Sequence, residues 1–463
     1  MTDELYAYQA TAVRHIAQGE AAYLGFDPGL GKSRTALEAA KARRVKRLLV
    51  AGPASSRYVW QREAKRWWPE MKFTDFGQAQ WINKFLPDGI YFVTYGLLSQ
   101  RGSPLVERIA TGLPFDMTVL DEAAALKNSR ANRTKAVFQR MLPKLGYVLP
   151  MSGTPAPNHA GELFPVLRAV YPQALVKAHS NGQARSPAAS LMNEFEFQDA
   201  FCKVVNKRFG GAGRGDVRVI EGSKNVPELK RRMGGFMLRV RKEEVLKDLP
   251  PIRWDVVPVE ANIPQNFSPA LPILNTDFPP DMDDEGLLQW LSGAGGEPVM
   301  KLRRLLGMAK LKHSIEFIQE FLENAPPDQK ILVFAHHKDV IERLHAGLMD
   351  YCPAVITGAT PPAIRAKEID AFLSDPRCRV FIGNILAAGT ALTLVGPKCK
   401  CSDVFFVEAS YSVGDNVQAA CRVHRIGQND AVVARFLCAH GTIDDRIQSI
   451  LARKAADFHA LFG

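Results

Sequence analysis

No run of ~18 consecutive apolar residues occurs in this chain of 463 residues, so no membrane-spanning helix is expected. The start, Met1-Thr-Asp-Glu, is acidic and has no apolar core, which argues against a secretory signal. Cysteine is sparse and scattered. The seven cysteines stand at 202, 352, 378, 399, 401, 421 and 438, an odd set in which only Cys399-Lys-Cys401 is close. No second pair lies at zinc spacing, so the set reads as reduced thiols of a cytosol-like compartment, without a structural metal. No internal repeat is evident. Acidic residues are in deficit, 48 against 59 lysines and arginines, for a net charge of +11. Such a balance points to an anionic partner, nucleic acid first; a merely basic soluble enzyme is the plainer alternative.

What is present is a series of short apolar runs, each followed by a helical pattern. The runs are Ala22–Phe26, Arg47–Ala51, Tyr91–Thr94, Met117–Leu120 and Tyr147–Met151, then Lys330–Ala335, Arg379–Gly383, Asp403–Val407 and Val432–Leu437. Runs this apolar suit strands covered on both faces, and strand-then-helix repetition predicts doubly wound α/β lobes. At ~150 residues per domain, the length suggests about three units. The texture changes between the two groups of runs. Asn181–Ser190 is small and polar, Phe209–Asp216 is glycine-rich, and Pro264–Gly296 mixes proline, glycine and acidic residues as a link would. The Asp-Met-Asp-Asp-Glu run within it reads as solvated surface. Met300–Phe321 has apolar residues at helical spacing.

Three constellations carry chemistry. Gly25-Phe-Asp-Pro-Gly-Leu-Gly-Lys-Ser33 follows an apolar run and precedes a helix over Thr35–Arg43. There, Gly29 and Gly31 would let backbone N–H groups approach phosphates, Lys32 would reach the β- and γ-phosphates, and Ser33 would ligate Mg²⁺. Phe26 stands where the strict pattern has glycine. Val119-Leu-Asp-Glu-Ala-Ala124 puts two acids at the end of a strand, where open parallel sheets bind ligands; Asp121 would hold Mg²⁺ and Glu122 would orient or deprotonate water. Gln418-Ala-Ala-Cys-Arg-Val-His-Arg-Ile-Gly-Gln428 offers Arg422 and Arg425, whose guanidinium forks suit phosphate oxygens. Its distance in sequence from the phosphate loop suggests one nucleotide held between two halves of the chain. A surface salt-bridge pair is the blander reading of those arginines. Trp60, Trp67 and Trp68 could stack on bases, but their spacing fits a packed helix face better.

With these residues in view, the chain resembles the Swi/Snf-type branch of superfamily two helicases and translocases. Leu5-Tyr-Ala-Tyr-Gln9 resembles the adenine-reading motif, Gly29–Ser33 motif I, Gly52-Pro53 through Trp60 motif Ia, and Asp121-Glu-Ala-Ala124 motif II. Ser152-Gly-Thr-Pro-Ala-Pro-Asn158 resembles motif III, Ile331–His336 motif IV, Ala387–Leu394 motif V and Gln418–Gln428 motif VI. Phe236-Met-Leu-Arg-Val-Arg-Lys242 resembles the segment closing the first lobe. The wording is closest to the annealing-helicase subgroup and its compact phage and bacterial relatives. Ala124 departs from the histidine usual in motif II, Phe26-Asp27 from an acidic pair, and Tyr411 from a tryptophan.

The resemblance implies two RecA-like doubly wound parallel-sheet lobes with helical insertions between them. Lobe 1 would span 1–240, a linker and helical protrusion 241–325, and lobe 2 326–463. It implies a DNA-dependent ATPase with ATP and Mg²⁺ as cofactors, Gln9 reading adenine, and Arg422 and Arg425 reaching the γ-phosphate. Ser55, Thr94, Tyr95, Thr154 and Thr390 lie in motifs that face nucleic acid in this branch. The implied partner is double-stranded or forked DNA, bound by a monomer, with no membrane. The implied activity is duplex translocation or remodelling, with annealing of strands among its outputs. A strand-separating helicase and a weakly active DNA-bound scaffold are the alternatives. A cytoplasmic location of bacterial or phage type is expected, or a nuclear one in a eukaryote.

Overall fold

The computed structural model describes residues 4–77, 86–112, 114–177, 190–207, 217–262, 296–385, 394–396, 399–410, 412–425, 427–440, 442, 444, 448 and 451. Thr390, Tyr411, the acidic run, Phe209–Asp216 and most of Asn181–Ser190 lie outside the described residues. The chain forms two compact units, one built on residues 4–204 with 222–245, the other on 205–221 with 246–451.

The first unit holds a seven-stranded sheet in the order β3-β4-β2-β5-β6-β1-β9. Its strands are β1 (Tyr23–Phe26), β2 (Arg47–Gly52), β3 (Phe73–Asp75), β4 (Gly89–Thr94), β5 (Met117–Asp121), β6 (Tyr147–Met151) and β9 (Met237–Val240); β7 (Cys202–Lys207) and β8 (Val217–Ser223), whose residues 205–221 are counted with the second unit, form a two-stranded sheet of their own. Every pairing in the large sheet is parallel. Every residue of β1, β4, β5 and β6 is buried, the outcome their unbroken apolar sequence requires. Strand order steps one way from β1 to β3 and back from β3 to β6. With right-handed crossovers, that reversal puts helices on both faces. Helix α2 (Lys32–Ala42) starts within the phosphate-loop segment, three residues earlier than the sequence pattern suggests.

The second unit repeats the plan with six parallel strands in the order β10-β15-β14-β11-β13-β12. They are β10 (Ile252–Val259), β11 (Gln329–Ala335), β12 (Ala354–Ile356), β13 (Val380–Asn384), β14 (Lys400–Phe406) and β15 (Val432–Ala439). The α/β class and the two doubly wound lobes are therefore as expected. Among the described residues, no helix is long and apolar enough to cross a membrane.

The helical stretch expected over Met300–Phe321 is two helices, Gly296–Ala309 and Leu311–Asn324, parted at Lys310. Lys310 is 2% exposed, and its ammonium donates to the Leu437 carbonyl at 2.8 Å and to Asp444 Oδ2 at 2.5 Å. The buried pair joins the helix break to the end of β15. Lys310→Met removes one charge and leaves the other without a partner, so a loss of about 3–5 kcal/mol of unfolding free energy is expected, measured by denaturant titration. An unchanged midpoint would show the pair to be dispensable.

Candidate active site

The phosphate loop turns between β1 and α2 because Gly29 (φ 93°) and Gly31 (φ 76°) adopt left-handed conformations. Gly31 also lies against Gln9: a Cβ there would come 2.4 Å from Gln9 Nε2 and would have to displace that amide. Gln9 is buried. Its amide donates to the Leu30 carbonyl at 3.1 Å and its oxygen accepts the Tyr6 N–H at 3.1 Å, so helix α1 (Ala7–Gln18) is tied to the loop. The Tyr8 hydroxyl donates to the same Leu30 carbonyl at 3.2 Å. Ser33 is half-buried in the first turn of α2.

Lys32 leads that turn, and its ammonium donates to the Phe26 carbonyl at 2.9 Å. Burial holds its pKa below the ordinary lysine value, against the opposing pull of Glu122, Asp121 and Asp27. The structure thus brings Lys32 together with both acids of the carboxylate pair. Asp121 ends β5 and is 7% exposed. Burial, then the neighbouring Glu122 charge, pushes its pKa up to about 6, while bonds from Trp60 and Ser56 and the Lys32 charge restrain it. Two acids facing one lysine leave an excess of negative charge. A hydroxyl and a buried carboxylate beside that excess are a donor set that fits a hard divalent cation.

Glu122 follows in the left-handed region at φ 49° and ψ 55°. A non-glycine residue there costs about 1–3 kcal/mol and persists only where its surroundings hold it. One such hold is visible: the Ser152 hydroxyl donates to Glu122 Oε2 at 2.9 Å and itself accepts the Thr154 N–H at 3.1 Å. The segment after β6 is thereby bonded to the second acid without any hydrogen-bonding side chain at Ala124. The same segment meets the phosphate loop, since a Cβ on Gly153 would fall 2.7 Å from Pro28 Cδ.

Several supporting residues were not legible in the sequence. Arg239 on β9 donates to the Gly25 carbonyl and to Asp27 Oδ1, both at 2.6 Å, which fixes the start of the loop; Asp27 Oδ2 accepts the Lys242 N–H at 3.0 Å. Buried Glu162 accepts Lys127 Nζ at 2.6 Å and Asn158 Nδ2 at 2.5 Å. Burial alone would raise the Glu162 pKa, but Lys127 and His159 outweigh it and the net shift is downward. Arg239, Lys242 and Asn158 fall within segments that the resemblance marks, but neither motif nor spacing indicated these partners.

The residues expected on the nucleic-acid side are placed as follows. Ser55 is half-buried in the short turn Ala54–Ser56. Thr94, Tyr95 and Thr154 are buried, at 7%, 5% and 6% exposure. The Thr94 hydroxyl caps the following helix by accepting the Leu97 N–H at 3.2 Å, and the Tyr95 hydroxyl donates to the Asp121 carbonyl at 2.8 Å. Trp60 is fully buried, as its spacing predicts, whereas Trp67 is half-buried beneath the Arg34 guanidinium, 3.7 Å from the ring centroid.

In the second unit, Arg422 and Arg425 sit on the turn that follows helix Val413–Ala420. Arg422 is buried and its Nε donates to the Gln418 carbonyl at 2.9 Å; half-buried Arg425 donates likewise to Cys421 at 2.7 Å. The flanking polar residues are anchors within the unit. His424 Nε2 lies 2.8 Å from the Pro250 carbonyl, and Gln428 donates to the Cys401 carbonyl at 2.7 Å. Gly427 makes the turn between them at φ 97°. Where β14 ends, buried Glu408 accepts the N–H groups of His336 and His337 at 2.8 and 2.9 Å and fixes the loop after β11.

The SNF2-related domain matches residues 8–265, and the helicase conserved C-terminal domain matches residues 312–427. A mouse protein named DNA annealing helicase and endonuclease ZRANB3 is 28% identical over 418 residues, 88% of this chain and 36% of that protein. A Caenorhabditis elegans SWI/SNF-related matrix-associated actin-dependent regulator of chromatin subfamily A-like protein 1 homolog is 28% identical over 98% of this chain and 61% of its own length. The chain thus spans about a third of the mouse relative and about three fifths of the nematode one. Among solved structures, the Sulfolobus solfataricus SWI2/SNF2 ATPase core in complex with dsDNA aligns with a TM-score of 0.43 at 20% identity, over 98% of this chain and 92% of that one. The SNF2-related match alone takes in more than half of the sequence, and it spans the phosphate loop, both acids and Ser152; the chain belongs to the SNF2-related domain family.

Proposed function

We propose that the chain is a DNA-stimulated ATPase that translocates along double-stranded DNA. The observation that carries this reading is the acid pair at the end of β5, buried Asp121 and half-buried Glu122, set against the lysine of the phosphate loop. Lys32 and the N–H groups at the start of α2 bind the phosphates of ATP, and Gln9 meets the adenine. Ser33 and Asp121 hold magnesium, which when bound neutralises charge on the phosphates. Glu122 orients the attacking water and accepts its proton. Ser152 keeps Glu122 in place for that task. Arg422 and Arg425 stabilise the charge on the departing phosphate, so turnover depends on the second unit engaging the nucleotide. This role for the arginines is supported by their motif and their place on a turn.

Ser55, Thr94, Tyr95, Thr154 and Thr390 mark the segments we assign to the DNA backbone. Three of them are buried, so backbone N–H groups and exposed neighbours in those segments supply the phosphate contacts. Contacts of this kind read no base sequence. Because the mouse relative is named a DNA annealing helicase, re-pairing of complementary strands is the output we assign to translocation.

The test is the ATPase rate with single-stranded, duplex, forked and gapped DNA. Duplex or forked DNA is expected to stimulate hydrolysis at least about tenfold, with DNA affinity falling about 10³-fold between 50 and 200 mM salt if six or more phosphates are held. Equal rates with and without DNA, or a flat salt response, would overturn the proposal.

A further inference from the structure

Helix α3 (Arg57–Trp67) is strongly polar, and only Trp60 and Ala64 along it are buried. A tryptophan in such a helix would normally serve packing alone. Here its indole N–H donates to Asp121 Oδ2 at 2.9 Å, with both partners buried. An indole nitrogen can only donate, so it favours a carboxylate oxygen held in one orientation. One turn earlier on the chain, Ser56 lies beside the same carboxylate. The fit there leaves no slack: a Cβ on Gly52 would come 2.8 Å from Ser56 Oγ and 3.2 Å from Asp121 Cβ. On the main chain, the Asp121 carbonyl accepts the Tyr95 hydroxyl. Asp121 is thus gripped at side chain and backbone by two elements, β4 with its following helix, and α3.

We propose that Trp60 is a positioning residue for Asp121: by fixing Oδ2, it sets the direction in which the carboxylate meets the metal, and it ties that carboxylate to the turn carrying Ser55. The inference rests on the reading of Asp121 as a magnesium holder. A charge-assisted hydrogen bond in a dry site contributes more than a neutral one, and its removal leaves the carboxylate free to rotate.

The experiment measures the affinity of the full chain for a fluorescent non-hydrolysable ATP analogue, in Mg²⁺ and in EDTA. Wild type gains affinity from Mg²⁺. In Trp60→Phe the gain is expected to shrink about tenfold, the equivalent of a hydrogen bond to a charged group. Affinity in EDTA is expected to stay as in wild type, whereas a packing role would lower both. Trp67→Phe, which removes an indole bond to Glu63 instead, is expected to keep the full gain. A full gain in Trp60→Phe, with the gain lost in Asp121→Asn, overturns the role of Trp60 alone. A full gain in Asp121→Asn overturns the metal assignment beneath it. If the phenylalanine variant does not fold, a benzothienylalanine at position 60, with sulfur in place of the N–H, keeps the ring's shape and reads the same outcomes.

Discussion

Lys32→Ala is expected to lower DNA-stimulated ATP turnover by at least about 10²–10³-fold, the cost of removing one preorganised donor to developing charge. The structure gives reasons to expect the upper end. Lys32 is the cation whose charge acts on both Asp121 and Glu122, and burial already disfavours its charge. The acids therefore lose their compensation at the same time as the phosphates lose their donor. The Asp121 pKa, already about 6, rises further when a neighbouring positive charge is taken away. Lys32→Arg keeps the charge but not the compact ammonium that donates to the Phe26 and Asp27 carbonyls, so it is expected to rescue little. Steady-state hydrolysis with saturating duplex DNA is the measurement, with thermal unfolding as the control. Turnover within about threefold of wild type in a folded Lys32→Ala variant would remove the site assignment altogether.

The second large effect is expected in the other unit. Arg425→Ala should reduce turnover about 10³–10⁵-fold, the range found for an arginine that stabilises a transferring phosphoryl group. Nucleotide affinity should change little, because the proposed phosphate contacts all lie in the first unit. Arg425→Lys should not restore activity, since one ammonium cannot reproduce the two-pronged geometry. The anchors beside it supply the contrast. Gln428 is bonded to the Cys401 carbonyl within its own unit, so Gln428→Ala should act on stability rather than on chemistry. Single-turnover hydrolysis separates the cases: normal turnover in Arg425→Ala would return the arginine to an ordinary surface role.

These two expectations bear on Ala124, where a histidine is usual in this branch. The departure raises the question of how the second acid is linked to the segment after β6. In this chain the Ser152 hydroxyl makes the link itself, and Thr154 is bonded to that same hydroxyl. The connection from carboxylate to Thr154 therefore runs through two hydrogen bonds and needs no imidazole.

The sequence by itself determined the lobes and the parts of the site that lie within single segments. The nine apolar runs each contain or overlap a strand, because a strand covered on both faces must be apolar throughout. The phosphate loop and the acid pair were legible because a glycine turn and a strand-end dipeptide are local features. Edge strand β10 was not, since its outer residues are exposed, Trp254 at 40% and Val256 at 55%, and no buried run marks it. Only the tertiary structure decided what holds the site together. Trp60 reaches Asp121 across 61 residues, and Arg239 reaches Asp27 across 212. Such bonds leave no period or spacing in the chain, because they depend on which strands the sheet makes neighbours. The order β3-β4-β2-β5-β6-β1-β9 brings β9 beside β1 and lays α3 near the end of β5. Burial there removes water as a competing partner, so each polar group must find its match in the protein, and the matches it finds set the geometry of the carboxylates.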